Sequence, residues 1–440
     1  MSAAPGLHGR FLRLSGPNIL ANLLVPLAST IDVALLGRLA TVEDLAGVAL
    51  SIVLFDVFLW GFGFLRMATT GLTAQARGRG DADEERTLAL RAVGLGLLAG
   101  VVILALRIPL REVGFLALQG SEATEVAARA YFDARILGAP FVLANYAWLG
   151  WLLGREQSGR TLMVSAVGHG ANIGFNVWFI AGLGLGAQGA GYGTALSQVL
   201  MFVTAFALAA PGLPWSAVRP LLPRLRDTAA LRSFFSLGRD ITIRTLLLVG
   251  TFAVFTNVAA TMGAVVLAAT AVLRQVVLIT AWFVDGFAFA VESLVGVFSG
   301  ARDPASLRAV LWLAVAWGTA ISAVIAVACV LLPGPLLGAL VDHADVMTAL
   351  EGTVGWLVPV LVLSAPAYAL DGFFLGMTAG GTLRRAMVWS CLLGFAPWAA
   401  VAAWTQNVHW LWAALALFML ARTVTLGRHV PATLRALPAS

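Results

Sequence analysis

The stretch "STIDVALLG" (29–37) places a carboxylate, Asp32, within the first long apolar run of the chain. An ionised Asp at mid-helix in a membrane costs ~2.5–3.5 kcal/mol on insertion scales. Such residues usually face a cavity and mark an ion or substrate path. A buried, protonated acid bonded to a neighbour is the structural alternative. Further on, "NIGFN" sets Asn172 and Asn176 four apart, on one helical face. "GAGYGTALSQ" adds Thr194. Asp32, Asn176 and Thr194 lie at similar depths from the outer ends of their apolar runs. A carboxylate, two amides and a hydroxyl suit a proton relay or a small hard cation, provided that their three helices are neighbours. Taken singly, each Asn or Thr serves as well as helix-packing glue. Pro26, six residues before Asp32, removes an intrahelical hydrogen bond and is read as a hinge, with a static kink as the alternative.

A second set of polar groups lies in the other half of the chain. Asp285 and Glu292 are seven apart and share a helix face. Asp371 interrupts another apolar run, and Arg244 is placed to pair with Glu292 or Asp371. Arg66 also falls inside an apolar run, with Asp56 or a helix end as its expected partner. These four residues, Asp285, Glu292, Asp371 and Arg66, are secondary candidates, and a structural ion-pair cluster is the other reading. Hydrolytic chemistry finds no support. The sequence contains no HExxH, GxSxG, Walker A or CxxC pattern, and neither Cys329 nor Cys391 suggests a disulfide or a zinc site.

The elements that must position these groups are membrane helices. The chain of 440 residues is 60% hydrophobic and 11% charged, too few charges to coat a soluble surface. Every basic residue is Arg, and the excess fits cytoplasmic loops better than nucleic-acid binding. Twelve stretches are long enough to span: about 14–37, 44–76, 88–107, 128–153, 161–182, 187–210, 236–260, 264–299, 307–333, 350–378, 386–404 and 408–426. Arg10, Arg13, Arg77, Arg79, Arg86, Arg91, Arg155 and Arg160 fall on one side. Arg38, Arg107, Arg111, Arg129 and Arg135 fall on the other. The richer side is expected to be cytoplasmic, with both termini there.

The chain also repeats itself. "WGFGFLRMATTGLTAQARGRGD" (60–81) aligns with "WFVDGFAFAVESLVGVFSGARD" (282–303), and "APFVLANYAWLGWLLG" (139–154) with "APAYALDGFFLGMTAG" (365–380). An offset of half the chain predicts two parallel six-helix lobes, 1–210 and 236–440, joined by a cytoplasmic linker over 211–235.

Three stretches resemble the multidrug and toxic compound extrusion (MATE) family, in particular its DinF-like branch. They are "LSGPNILANLLVPLASTIDVALLGRL" (14–39), "WGFGFLRMATTGLTAQARG" (60–78) and "VDGFAFAVESLVG" (284–296), with "LDGFFLG" (370–376) in support. The resemblance implies an all-α polytopic fold of twelve transmembrane helices, two pseudo-symmetric six-helix bundles in a V around a central cleft. It implies efflux of organic, often cationic or amphiphilic compounds by alternating access, driven by inward H⁺ or Na⁺. The family's coupling carboxylate falls on Asp32, its helix 5 Asn on Asn172 and its helix 6 Thr on Thr194. Family members often read NIxxD where this chain has Asn176. Loss of that charge favours H⁺ over a weak Na⁺ site at Asp32, Asn172, Asn176 and Thr194. Branches that rely on carboxylates of the second lobe keep Asp285, Glu292 and Asp371 in view.

The expectation is therefore a transporter and not an enzyme, a monomer without cofactor in the inner membrane of a bacterium. Its partners are small organic or amphiphilic substrates and the lipid bilayer, not nucleic acid. A lipid or lipid-linked oligosaccharide flippase of the same superfamily is the nearer alternative. An intramembrane enzyme using Asp285, Glu292 and Asp371 is the remoter one.

Overall fold

The structure, a computed structural model, describes residues 6–118, 120–338, 341 and 343–436. Among them there is no strand. The first half is built from α1 (Leu7–Leu39), α2 (Val42–Trp60), α3 (Phe64–Gly78), α4 (Ala82–Ala105), α5 (Arg107–Ala117), α6 (Glu122–Arg135), α7 (Ala139–Gly154), α8 (Ser158–Asn176) and α9 (Gly186–Ala209). A short α10 (Trp215–Val218) and a 3₁₀ stretch (Arg219–Arg226) lead to the second half. That half holds α11 (Thr228–Thr261), α12 (Ala264–Gly300), α13 (Pro304–Leu331), α14 (Pro333–Leu337), α15 (Ala344–Thr353), α16 (Leu357–Gly376), α17 (Gly380–Trp389), α18 (Ala396–Thr405), α19 (Val408–Gly427) and α20 (Val430–Arg435). Helices are the expected solution, because in lipid every backbone donor and acceptor must be satisfied within the segment.

Eleven segments among the described residues are long and apolar enough to cross a membrane. The remaining expected span, 161–182, forms α8 and continues through one π-helical turn, Val177–Gly182. It falls short in apolarity because it carries His169, Asn172 and Asn176. The groups that make this helix chemically interesting are the ones that dilute its hydropathy. A second π-helical turn, Ser390–Phe395, joins α17 to α18. Such turns are rare and concentrate at functional positions.

The repeat read in the sequence acts in the structure. Asp81 and Asp303 are equivalent in the alignment, and each caps a helix. Asp81 accepts from the Glu84 N–H at 3.0 Å at the start of α4, and Asp303 from the Ser306 N–H at 3.0 Å at the start of α13. Glycines mark the same close crossing in both halves. A Cβ on Gly150 of α7 would lie 2.4 Å from the Arg66 carbonyl oxygen of α3. A Cβ on Gly376 of α16 would lie 2.5 Å from that of Glu292 in α12. Small residues let membrane helices approach this closely and gain van der Waals contact.

Contacts divide the chain into two compact units, Leu20–Phe235 and Met1–Ile19 with Ser236–Ser440. The dividing point falls inside α1, which runs unbroken through Pro17 and Pro26. In the unit that includes Ser236–Ser440, Phe11 stacks on Phe287 with centroids 5.7 Å apart, and Trp317 Nε1 donates to His8 Nε2 at 3.0 Å. The connector after α9 belongs to the other unit. There Arg91 Nη2 donates to the Arg224 carbonyl at 2.8 Å, and Leu221 is buried.

Candidate ion-coupling site

Within Leu20–Phe235, α8 packs along α9, and Asp32 of α1 meets the polar end of α8. Asn176 Nδ2 donates to Asp32 Oδ1 at 2.7 Å. Asn172, one turn earlier on the same face, lies between Asp32 and Thr194. With its nitrogen toward Asp32 it donates to Oδ2 at 2.9 Å and to Oδ1 at 3.2 Å, while its oxygen accepts from Thr194 Oγ1 at 3.2 Å. The opposite assignment would set the amide oxygen against the carboxylate oxygens, so the nitrogen belongs on the Asp32 side. Thr194 Oγ1 also lies 2.9 Å from the Ala190 carbonyl. Both asparagines are buried and Asp32 is half-buried. The four residues that spacing and depth single out thus form one hydrogen-bonded set.

The backbone explains how they come so close. Gly193 of α9 sits against Asn176, and Gly191 sits against the Tyr131 carbonyl and the Arg135 nitrogen at the end of α6. On α1, Thr30 Oγ1 donates to the Pro26 carbonyl at 2.8 Å, so a hydroxyl takes up an acceptor on the turn below Asp32. Outside the apolar region, the carboxylate of Asp44 completes a capping box with Thr41. It also accepts from the Ala187 N–H at 3.0 Å, which ties the start of α9 to α2.

A cation is held on the neighbouring α6, which packs against α9. Arg135, the last residue of α6, lies over the Phe55 ring at 4.3 Å, and its Nη1 donates to the Tyr131 hydroxyl at 3.1 Å. Arg66 lies in α3, where Gly150 packs on its carbonyl, and its charge acts on Tyr146.

The second set of candidates lies in the other unit. Arg244 Nη2 and Arg422 Nη2 both donate to Asp371 Oδ2. All three are nearly sealed, with 6%, 1% and 4% exposure in that order. Arg422 also lies over Tyr368 at 5.3 Å and Phe418 at 5.6 Å. Asp285, half-buried, acts electrostatically on Arg422 and Tyr368. Glu292 is fully buried at the crossing of α12 and α16. Arg244 therefore pairs with Asp371. Among the described residues, no group of three or more His, Cys, Asp or Glu could hold a metal ion.

The family description MatE matches residues 17–178 and 241–401, one stretch in each half. The chain belongs to the MATE family. It is 32% identical over 414 residues to the DNA damage-inducible protein F of Escherichia coli, covering 94% of this chain and 90% of that protein. It is 30% identical over 379 residues to a probable multidrug resistance protein NorM of Bradyrhizobium diazoefficiens, covering 85% and 80%. Solved structures share the fold. One, described as the outward-facing conformation of a multidrug resistance MATE family transporter, gives a TM-score of 0.86 at 20% identity over 98% of this chain and 96% of that one. Another, a MOP superfamily transporter of Pyrococcus furiosus described as having a binding pocket of reverse polarity, gives 0.87 at 19% identity over the full length of both chains. This MATE chain is thus a multi-pass membrane transporter.

Two charged residues of the MATE chain stand in these clusters without having been singled out by sequence. The orientation rule counts Arg135 among the arginines at span ends, although it lies within the apolar stretch 128–153. Arg422 lies within 408–426, and an Arg at that depth was itself the available signal.

Proposed function

We propose that this MATE transporter exports amphiphilic or cationic organic compounds in exchange for inward protons, by alternating access. One observation carries the proton reading. Asp32 is the single carboxylate in a set otherwise made of two neutral amides and a hydroxyl, with Asn176 Nδ2 at 2.7 Å. A lone carboxylate can gain and lose a proton, and the neutral Asn176 amide in place of a second carboxylate leaves less negative charge to hold Na⁺. In the cycle, ionised Asp32 offers counter-charge to a cationic substrate. A proton arriving from outside cancels that charge and weakens the hold of the Asn172 and Asn176 amides on the carboxyl, and α1 rearranges around Pro26 as the substrate leaves. The repeats 1–210 and 236–440, joined by 211–235, are the bodies that alternate. Asp371, held by two guanidiniums, acts as a structural anchor of the second repeat. The protein works as a monomer in a bacterial inner membrane, with both termini cytoplasmic and no cofactor or catalytic turnover.

The test is substrate efflux from proteoliposomes under separately imposed gradients. A pH gradient alone should drive transport. A Na⁺ gradient alone driving it at equal pH would overturn the proposal.

A further inference from the structure

We propose that the connector over residues 211–235 is a docking surface for the anionic headgroups of membrane phospholipids, with Trp215 and Leu222 entering the acyl boundary beneath them. This surface is separate from the Asp32 set and serves whichever ion drives transport.

Four prolines, Pro211, Pro214, Pro220 and Pro223, keep α9 and α11 from joining as one helix. The chain between them folds as α10 and the 3₁₀ stretch Arg219–Arg226. Helices of the first half fix its course. Arg86 Nε of α4 donates to the Gly212 carbonyl at 3.3 Å, and Arg91 Nη2 of α4 donates to the Arg224 carbonyl at 2.8 Å. Phe234 meets Phe64 of α3 edge-on, with centroids 6.1 Å apart. Val218 and Leu221, three residues apart, are buried. With three residues per 3₁₀ turn, Arg219 and Leu222 share another row, and both are exposed. The connector is thus a fitted element with an inner and an outer side.

Its charge is one-sided. Arg219, Arg224, Arg226 and Arg232 stand against one acid, Asp227. That acid is already engaged, because its Oδ1 accepts from the Ala229 and Ala230 N–H groups at 2.9 and 3.2 Å at the start of α11. The arginines of α4 that hold the connector have acid partners of their own, Arg86 with Asp83 at 3.2 Å and Arg91 with Glu84 at 3.8 Å. Among the described residues, Arg219, Arg226 and Arg232 form no ion pair, and all three are exposed. The same segment leaves Trp215 67% exposed and Leu222 41% exposed. Large apolar side chains held out of the protein among arginines suit neither bulk water nor the acyl core. They suit the boundary between the two, where an indole ring sits at headgroup level and guanidiniums meet phosphate. Clusters of four or more arginines beside a membrane helix are drawn to anionic lipid by its surface potential. A membrane is favoured over an acidic protein because spans lie on both sides of the segment, Gly186–Gly212 and Thr228–Thr261, and tether it to the bilayer surface.

The experiment places a nitroxide at the exposed Ser216, through Ser216→Cys in a Cys329→Ala/Cys391→Ala background. The full chain is held in nanodiscs of phosphatidylcholine with or without phosphatidylglycerol. Both leaflets of a nanodisc carry the same lipid and both faces are open, so neither the orientation of the termini nor the coupling ion enters the outcome. The readout is accessibility of the label to oxygen relative to a neutral, water-soluble nickel chelate. The ratio should rise roughly twofold or more with phosphatidylglycerol, and fall back in high salt. R219K/R226K/R232K should keep the response, and R219Q/R226Q/R232Q, at a matched melting temperature, should lose it. Glycerol phosphate added to phosphatidylcholine discs should leave the label unmoved. A response to it would assign the arginines to free phosphate and overturn the lipid reading. A ratio blind to phosphatidylglycerol overturns the proposal and leaves the basic surface to an acidic protein. An undiminished response in the Gln variant overturns it as well.

Discussion

Gly193 of α9 faces Asn176 of α8 so closely that a β-carbon on it would stand 2.0 Å from the Asn176 side-chain oxygen. No real Cβ tolerates that distance, so any larger residue must push the amide aside. The amide is the one that holds Asp32. Gly193→Ala should therefore act at the carboxylate without touching it. The expected result is efflux lowered at least tenfold, with overpacking costing about 1–3 kcal/mol of stability. Transport assays alongside thermal melting in detergent measure both effects. Wild-type efflux in this variant would show that the Asn176–Asp32 bond is dispensable.

Asn176→Asp restores a second ionisable oxygen beside Asp32. Two adjacent carboxylates raise each other's affinity for protons and for small cations. Transport by this variant should become responsive to Na⁺, and its pH profile should broaden. Efflux assayed across pH with and without Na⁺ reads both changes. An unaltered ion dependence would mean that the helix 5 position does not set the choice of ion.

Asp371 is gripped by two buried guanidiniums. Removal of one partner of a buried ion pair leaves an uncompensated charge, at a cost of about 3–5 kcal/mol. Asp371→Asn should lower the melting temperature markedly, and Asp371→Asn with Arg422→Met should recover part of the loss. A variant that melts normally yet fails to transport would instead make Asp371 part of the transport path.

Between α5 and α6, Arg129 of α6 and Arg111 of α5 donate to Glu112 of α5 and hold its carboxyl below the usual glutamate range. Because the folded value is depressed, this contribution is present above the unfolded value of 4.5 and is lost as pH falls through the folded one. Glu112 is solvent-exposed, so the effect is local and weakened by salt. Hydrogen-exchange protection over Arg107–Ala117, taken relative to the intrinsic rate at each pH, should fall on acidification through the folded value of Glu112, and fall less in Glu112→Gln. Identical acid sensitivity in the variant would assign it to other groups.

Much of the first-half site was legible because lipid makes polar residues conspicuous. Asp32, the Asn172–Asn176 pair and Thr194 stand out against apolar neighbours, and helical period puts the two amides on one face. Arg135 was harder to place. A count of arginines at span ends assigns it to a loop, whereas its stacking on Phe55 depends on how α2 and α6 pack. Arg422 drew no attention because its partner lies 51 residues away on α16. The division of α1 near Ile19 depends on which helices pack against each part, and the helix itself runs unbroken through that point. Gly193 is one glycine among 46, and only the approach of α8 marks it out.

The most direct measurement is drug efflux by Asp32→Asn in proteoliposomes with an imposed pH gradient, made on protein whose melting temperature matches the wild type. Asparagine keeps the shape and the bond to Asn176 but cannot exchange a proton. Efflux should fall to the protein-free background at every pH. Retained, gradient-driven efflux would mean that Asp32 is not the group that couples transport to the proton.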